Sequence, residues 1–108
     1  MKKLDGQIVV ITGGARGIGE GICKIFCNEG ATVFIWDVLE EGQKTADKIK
    51  ADGGNICFQK VDVTSQDSVD SAVANIIDNH GKIDVLINNA GIIRDRSILK
   101  MTREEWDM

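Results

Sequence analysis

Four short runs of strand-like sequence alternate along the chain with segments of helical periodicity, and the first two are rich in β-branched residues. The runs are Ile8 to Ile11, Ala31 to Trp36, Ile56 to Lys60 and Ile83 to Ile87. They lack the polar alternation of a half-exposed strand, which indicates strands that are buried on both faces. Parallel strands need long crossover connections. Strands that alternate with helices therefore predict an α/β fold, a parallel sheet covered by helices on both faces.

The first helix is predicted directly after a cluster of glycines. Ile18, Ile22, Ile25 and Phe26 recur there at helical spacing and would form its apolar face, while Gly30 would end it. Gly21 lies inside this helix, where we interpret it as a small packing residue at some cost in helix propensity.

Two further helices complete the alternation. One is predicted from Leu39 to Ala51, with Ala46 and Ile49 facing inward and the Gly53–Gly54 pair at its end. The next would be capped by Thr64 or Ser65 and closed by His80 and Gly81, where the histidine is favoured by the helix dipole. Its apolar stripe consists of Val69, Val73, Ile76 and Ile77.

Composition and charge exclude several classes of protein. The chain has 108 residues, which indicates one domain, and a net charge of -4 without a basic cluster, which argues against a nucleic-acid partner. No apolar run is long enough to span a membrane. Asp5, Gly6 and Gln7 interrupt the N-terminal apolar stretch, so we expect no signal peptide and a cytoplasmic location.

The three cysteines argue against a disulfide framework and against a metal site, because their number is odd and their spacing fits no metal motif. Cys23 and Cys27 lie four positions apart and share a predicted helix face. We expect packed thiols in a reducing compartment.

The glycine cluster lies between the first strand and the first helix. Gly13, Gly17 and Gly19 form a G-x-x-x-G-x-G arrangement, at the place where a dinucleotide pyrophosphate binds in a parallel sheet. Such a turn must let an anion approach the backbone, and the free N–H groups at the helix start then face it. A P-loop is excluded, because no Gly-Lys-Ser/Thr follows.

Asp37 ends the second strand, about 20 residues after the glycines. An acidic residue at that interval is expected to accept hydrogen bonds from the adenosine ribose and to repel a 2′-phosphate. Arg16, beside the turn, would either attract such a phosphate or be a surface charge. We expect the carboxylate aimed at the ribose to dominate, which favours NAD(H) over NADP(H).

Three motifs together resemble the short-chain dehydrogenase/reductase family: "TGGARGIG" from Thr12, "DVT" from Asp62 and "NNAG" from Asn88. Their order and intervals match, and the resemblance runs through essentially the whole chain. Within the family, "NNAGIIRDRSILKMTREEWD" is most similar to the 3-oxoacyl-[acyl-carrier-protein] reductase group. Related acetoacetyl-CoA reductases and sugar or alcohol dehydrogenases have similar sequences in this segment.

The resemblance implies a Rossmann-type doubly wound parallel sheet with strand order 3-2-1-4, truncated after the fourth strand. Residues 1–108 would be the N-terminal dinucleotide-binding part of a single domain. It further implies cofactor contacts at Gly13, Gly17, Ile18 and Gly19 (pyrophosphate), Asp37 (ribose), Asp62 and Val63 (adenine), and Asn89, Ala90 and Gly91 (end of the fourth strand). Arg16, beside the pyrophosphate turn, is a further candidate cofactor-binding residue. Thr12 and Asn88 would tie the central strands together.

The chain departs from the family pattern in one respect. The family's catalysis rests on a serine, a tyrosine, a lysine four residues later, and an asparagine on the helix that would begin near Thr102. This sequence contains no tyrosine. Ser97 and Lys100 do not have the required spacing, so we assign no catalytic residue. We expect residues 1–108 alone to be inactive.

The function implied is an NAD(P)-dependent oxidoreductase that interconverts a carbonyl and a secondary alcohol, with a 3-oxoacyl thioester of fatty acid biosynthesis as the favoured substrate. A homo-oligomer is expected, without membrane or nucleic-acid partners. Two alternatives stay open: a dinucleotide-binding module without chemistry, and a fragment that self-associates through the apolar edge of the fourth strand.

Overall fold

A computed structural model of the chain describes residues 3–15 and 17–89, and the predicted helix near Thr102 lies outside these ranges. The described elements alternate as the sequence predicts. In chain order they are β1 (Ile8–Thr12), α1 (Gly17–Asn28), β2 (Thr32–Asp37), α2 (Glu41–Ala51), β3 (Asn55–Lys60), α3 (Gln66–His80) and β4 (Val85–Asn88).

All described strand pairs are parallel, and the sheet has the order β3-β2-β1-β4. The predicted order 3-2-1-4 is therefore confirmed. The register aligns the ends of the central strands, with Thr12 opposite Trp36 on one side and opposite Asn88 on the other. The chain consequently leaves β1, β2 and β4 at the same edge of the sheet.

Alternate side chains of the strands enter two separate cores, which makes the sheet doubly wound. Val10 and Trp36 lie on the face covered by α3, where they pack with Val69 and Ile76. The opposite face is covered by α1 and α2 and contains Val9, Ile11, Val33, Ile35, Cys23, Cys27, Ala46 and Ile49. Burial of β1 and β2 on both sides explains their nearly unbroken apolar sequences.

Helix α1 packs with only part of the predicted apolar face, because Ile22 and Phe26 lie partly buried against the core. Ile18 is 77% exposed and Ile25 is 63% exposed, whereas Gly19, Cys23 and Cys27 are buried. The helix lies so close to the sheet that small residues form its fully buried contact, and Ile18 and Ile25 lie outside it. The expected packing role of Gly21 is also wrong, because a Cβ there would meet no atom within 4 Å.

Two predicted boundaries differ by two residues. Helix α2 begins at Glu41 rather than Leu39, because the Leu39 N–H donates to Asp37 Oδ1 at 3.1 Å in a turn that precedes the helix. Strand β4 begins at Val85 rather than Ile83. Asp84 instead pairs with Ile8 through its own N–H at 2.8 Å and through its carboxylate, which accepts the Ile8 N–H at 2.7 Å.

The remaining helix ends follow the predictions. Ser65 caps α3 by accepting the Ser68 N–H at 3.3 Å, and Gly81 ends the helix in a left-handed conformation with φ of 80°. Helix α2 lies against β3 where the Phe58 ring occupies the space that a Cβ at Gly42 would need. Ala46 and Ile49 face inward on α2 as predicted.

Candidate cofactor-binding site

The carboxyl edge of the sheet brings the predicted site residues together. Gly13, Gly14 and Ala15, which we call the glycine loop, follow β1 and lead toward α1. Asp37 ends β2 beside this loop, and Asn89 follows β4 on its other side. Ligands of open parallel sheets bind in the crevice outside the carboxyl ends of the strands, so this edge is the candidate site.

Two glycines of the motif have backbone conformations that other residues avoid. Gly13 has φ of 67° and Gly17 has φ of 64°, both in the left-handed region. Gly19 serves a different purpose, because a Cβ there would overlap the carbonyl oxygen of Gly13 and lie 2.7 Å from Asn89 Nδ2. The start of α1 therefore lies directly against the glycine loop, and the spacing of the motif follows from these contacts.

Backbone and side-chain hydrogen bonds hold the first residue of the glycine loop. The Gly13 N–H donates to the Trp36 carbonyl at 2.8 Å. The Asn89 side-chain amide donates to the Gly13 carbonyl at 3.2 Å. Strands on both sides of β1 thus fix the turn at which the chain leaves the sheet.

Thr12 joins β1 to β4 below the glycine loop. Its buried hydroxyl donates to the Ile87 carbonyl at 3.3 Å and accepts the Asn89 N–H at 2.9 Å. The predicted structural role of Thr12 is therefore confirmed. The hydrogen bond from the Asn89 N–H to Thr12 also orients the backbone from which the Asn89 side chain extends toward Gly13.

Asp37 holds a second part of the glycine loop. Its Oδ2 accepts the Ala15 N–H at 3.2 Å, and its Oδ1 accepts the Leu39 N–H at 3.1 Å. A carboxylate has about four acceptor positions, so both oxygens retain capacity for ligand hydroxyls. The two backbone donors fix the direction of this negative charge at the edge of the sheet.

Asp62 lies next to Asp37, because the Val61 N–H donates to the Asp37 carbonyl at 3.0 Å. Its Oδ1 accepts the Thr64 hydroxyl at 2.6 Å and the Thr64 N–H at 2.9 Å. These two hydrogen bonds hold the pKa of Asp62 below its ordinary value, and the bond from the hydroxyl contributes most to this lowering. Val63 is partly buried against the core beneath α3.

The structure thus places Gly13, Gly17, Gly19, Asp37 and Asn89 around one loop, with Asp62 adjacent. Ile18 lies exposed in the first turn of α1. Arg16, Ala90 and Gly91 lie outside the described residues. In residues 3–15 and 17–89, no group of three or more His, Cys, Asp and Glu side chains is arranged to hold a metal ion.

Two residues that hold the glycine loop in place, Gly14 and Thr45, were not predicted from the sequence. A Cβ at Gly14 would lie 3.0 Å from Ile35 Cγ2 and 3.1 Å from Cys23 Sγ, so this glycine fits a narrow space. Thr45 is buried on α2, and its hydroxyl donates to the Ala15 carbonyl. The helical spacing of Gly42, Thr45, Ala46 and Ile49, all buried, was the available signal.

Comparison with known proteins identifies the family. The short chain dehydrogenase model matches residues 7–108, and the chain therefore belongs to this family of oxidoreductases. The 3-oxoacyl-[acyl-carrier-protein] reductase FabG of Chlamydia pneumoniae is 44% identical over 104 residues, which cover 95% of this chain and 42% of that protein. The predicted resemblance is confirmed.

Solved structures of oxidoreductases share the fold. A metagenomic short-chain oxidoreductase in complex with NADP has a TM-score of 0.77 and 32% identity, over 96% of this chain and 48% of that one. An oxidoreductase from Haemophilus influenza with bound NAD has a TM-score of 0.78 and 25% identity, over 84% of this chain and 33% of that one. The chain spans less than half the length of each of these three relatives.

No helix in the described part of the chain is both long and apolar enough to cross a membrane.

Proposed function

We propose that this chain is the cofactor-binding portion of an NAD(P)-dependent oxidoreductase that interconverts a carbonyl and a secondary alcohol. The observation that carries the proposal is the close approach of Gly19 to Gly13, with Asp37 and Asn89 bonded to the loop on either side. A backbone surface without Cβ atoms beside a helix start suits a diphosphate. The residues present therefore fit a dinucleotide.

The cofactor, when bound, would supply or accept the hydride. Backbone N–H groups at the start of α1 would hold its pyrophosphate, and Asp37 would accept hydrogen bonds from the adenosine ribose. We propose that the full set of binding residues is Gly13, Arg16, Gly17, Ile18, Gly19, Asp37, Asp62, Val63, Asn89, Ala90 and Gly91.

We propose NAD(H) as the preferred cofactor. Two backbone N–H groups hold the Asp37 carboxylate at the edge where the ribose would lie. A fixed negative charge there repels a 2′-phosphate, and repulsion between like charges is strong where water is partly excluded. The structural relatives include one complex with NADP and one with NAD, so the preference rests on Asp37 rather than on the fold.

Titration of the chain with NADH and with NADPH tests the cofactor proposal. Asp37→Asn removes the charge at nearly constant volume, and we expect the NADH to NADPH affinity ratio to fall about tenfold, equivalent to ~1.4 kcal/mol. Asp78→Asn, an exposed change on α3, is the matched control and leaves the ratio unchanged. The absence of saturable binding to either dinucleotide would contradict the proposal, and an unaltered ratio in Asp37→Asn would contradict the role of Asp37.

We propose a 3-oxoacyl thioester as the substrate class of the whole protein, on the basis of its similarity to the Chlamydia reductase. Because the sequence has no tyrosine, we propose that residues 1–108 bind cofactor without catalysing hydride transfer. NADH or NADPH oxidation with acetoacetyl-CoA, followed at 340 nm, tests this. Turnover by the purified chain above a no-protein control would overturn it.

We extend the proposal to a cytoplasmic homo-oligomer that acts in fatty acid biosynthesis. Within the described residues, β4 pairs only with β1, and Val85, Leu86 and Ile87 are partly exposed. An apolar strand edge of this kind favours association with a further strand. Sedimentation over a range of concentrations tests for self-association, and a monomer at all concentrations would contradict it.

A further inference from the structure

Ala15 is held by side chains at both of its backbone polar groups. Its N–H donates to Asp37 Oδ2 at 3.2 Å, and its carbonyl accepts the Thr45 hydroxyl. Ala15 is 2% exposed and Thr45 is 5% exposed. A buried carbonyl without a hydrogen-bond donor bears the full free-energy cost of desolvation. The hydrogen bond from Thr45 therefore favours the position that the Ala15 carbonyl has in this structure.

The two side chains that hold Ala15 belong to one continuous segment, residues 37–45. Asp37 is anchored at the Leu39 N–H, after which the chain enters α2 and reaches Thr45. The adjacent Ala46 and the next turn's Ile49 are buried against the sheet and fix the helix. The segment therefore forms hydrogen bonds to both the N–H and the carbonyl of Ala15. A change at Thr45 that moves Ala15 would also alter the hydrogen bond of Asp37.

We propose that Thr45 is a positioning residue for the adenosine end of the cofactor. Its hydroxyl fixes the peptide that leads from Ala15, and this keeps the Ala15 N–H on Asp37 and the carboxylate turned toward the ribose. The inference rests on the proposed dinucleotide site. Without the hydroxyl, the Ala15 carbonyl turns to find another donor, the glycine loop populates other conformations, and Asp37 loses one of its two anchors.

Thr45→Val is the informative variant, because it preserves the shape of the side chain and removes the donor. When the competent conformation falls to about a tenth of the population, apparent affinity falls about tenfold. We therefore expect NADH to bind about tenfold more weakly. We also expect the preference for NADH over NADPH to fall several-fold, because the freed Asp37 carboxylate repels the 2′-phosphate less. If Thr45 only stabilised the fold, Thr45→Val would lower the fraction of folded protein and leave the preference for NADH over NADPH unchanged.

Three companion variants sharpen the test. Thr45→Ser retains the hydroxyl and should restore both the affinity and the preference. Thr32→Val makes the same chemical change at the opposite end of β2 and should alter neither. Thr45→Ala removes the hydroxyl without adding a methyl group beneath the Ala15 carbonyl, and it replaces Thr45→Val if that protein does not fold.

Hydrogen exchange without cofactor provides an independent readout. The Ala15 amide should exchange faster in Thr45→Val than in the unaltered chain, and at the unaltered rate in Thr32→Val. Unchanged exchange at Ala15 overturns the inference, whether or not dinucleotide binds. Faster exchange with unchanged NADH affinity and preference also overturns it. If the unaltered chain binds neither dinucleotide, the proposed function itself fails.

Discussion

The side-chain amide of Asn89 donates a hydrogen bond to the carbonyl oxygen of Gly13 at 3.2 Å, although 76 positions separate the two residues. The bond joins the end of β4 to the turn after β1. It is one of two contacts that Asn89 makes there, since its backbone N–H also donates to Thr12 Oγ1. The outer strand thereby supports the backbone on which a pyrophosphate would rest.

We predict that Asn89→Ala destabilises the chain by about 1–2 kcal/mol, because the Gly13 carbonyl loses its side-chain donor in a partly buried position. Dinucleotide affinity should fall in parallel, since the turn is less firmly held. Urea unfolding and NADH titration measure the two effects. Asn79→Ala is the control, because its amide donates to the Asn75 carbonyl on the exposed surface of α3. Equal stability losses in the two variants would contradict this account.

Two glycines in the same helix should respond to alanine with opposite signs. At Gly19 the new methyl group overlaps the Gly13 carbonyl, and we expect a loss of about 1–3 kcal/mol together with weaker cofactor binding. At Gly21 it meets no atom within 4 Å, and we expect a gain of about 0.5–1 kcal/mol from helix propensity. Urea midpoints of Gly19→Ala and Gly21→Ala distinguish these cases. Shifts of the same sign would show that the spacing around Gly19 is misassigned.

The ion pair between α1 and α2 predicts a pH dependence. Glu20 Oε2 lies 2.9 Å from Lys48 Nζ and 3.4 Å from Lys24 Nζ, and the hydrogen bond from Lys48 is the main cause that lowers the pKa of Glu20. A lowered folded-state pKa stabilises the protein above the unfolded-state pKa, and this contribution is lost as the pH falls through the folded-state value.

Lys48→Met should therefore destabilise the chain at pH 7 by less than about 1 kcal/mol, since Lys48 is largely exposed, and should have a smaller effect at about pH 3. Urea unfolding at both pH values measures this. Lys44→Met, an exposed change on the same helix, controls for the loss of a positive charge. A stability difference for Lys48→Met that persists unchanged at low pH would exclude the ion pair as its cause.

The three cysteines should differ sharply in reactivity. Burial raises the pKa of Cys23 to about 12 and that of Cys27 to about 11, whereas Cys57 is exposed. Because the thiolate is the reactive form, an aromatic disulfide reagent at pH 8 should modify one thiol per native chain and three after denaturation. Cys57→Ser should abolish the fast reaction. Rapid modification of a second thiol in the native chain would contradict the burial of Cys23 and Cys27.

The alternation of strands and helices was predictable from periodicity, whereas the strand order and the cluster of site residues were implied by the family resemblance. Alternating strands and helices require a parallel sheet, and its carboxyl edge necessarily gathers Gly13, Asp37 and Asn89. The exposure of two of the isoleucines of α1 was not predictable from hydrophobicity. Isoleucine outranks glycine and cysteine as an apolar residue, yet the close contact at Gly19 and Cys23 excludes large side chains.

The role of Thr45 was also beyond the sequence pattern. Its burial follows the helical spacing of its neighbours, but the acceptor of its hydroxyl, the Ala15 carbonyl, is 30 positions away and is fixed only by the packing of α2. Gly14 is similar, because the limit on its size comes from Ile35 and Cys23 on other elements. Local signals identify the elements, whereas three-dimensional proximity determines which side chains support the loop.

The contact between Gly42 and the Phe58 ring has a consequence for how this sequence can diverge. A larger residue at position 42 is compatible with the fold only if the side chain at position 58 becomes smaller or turns away. If the side chain at position 58 becomes smaller first, it leaves a gap beneath α2, and a later substitution at position 42 could fill that gap. Among descendants of this sequence the two positions should therefore covary, with the change at 58 arising before the change at 42.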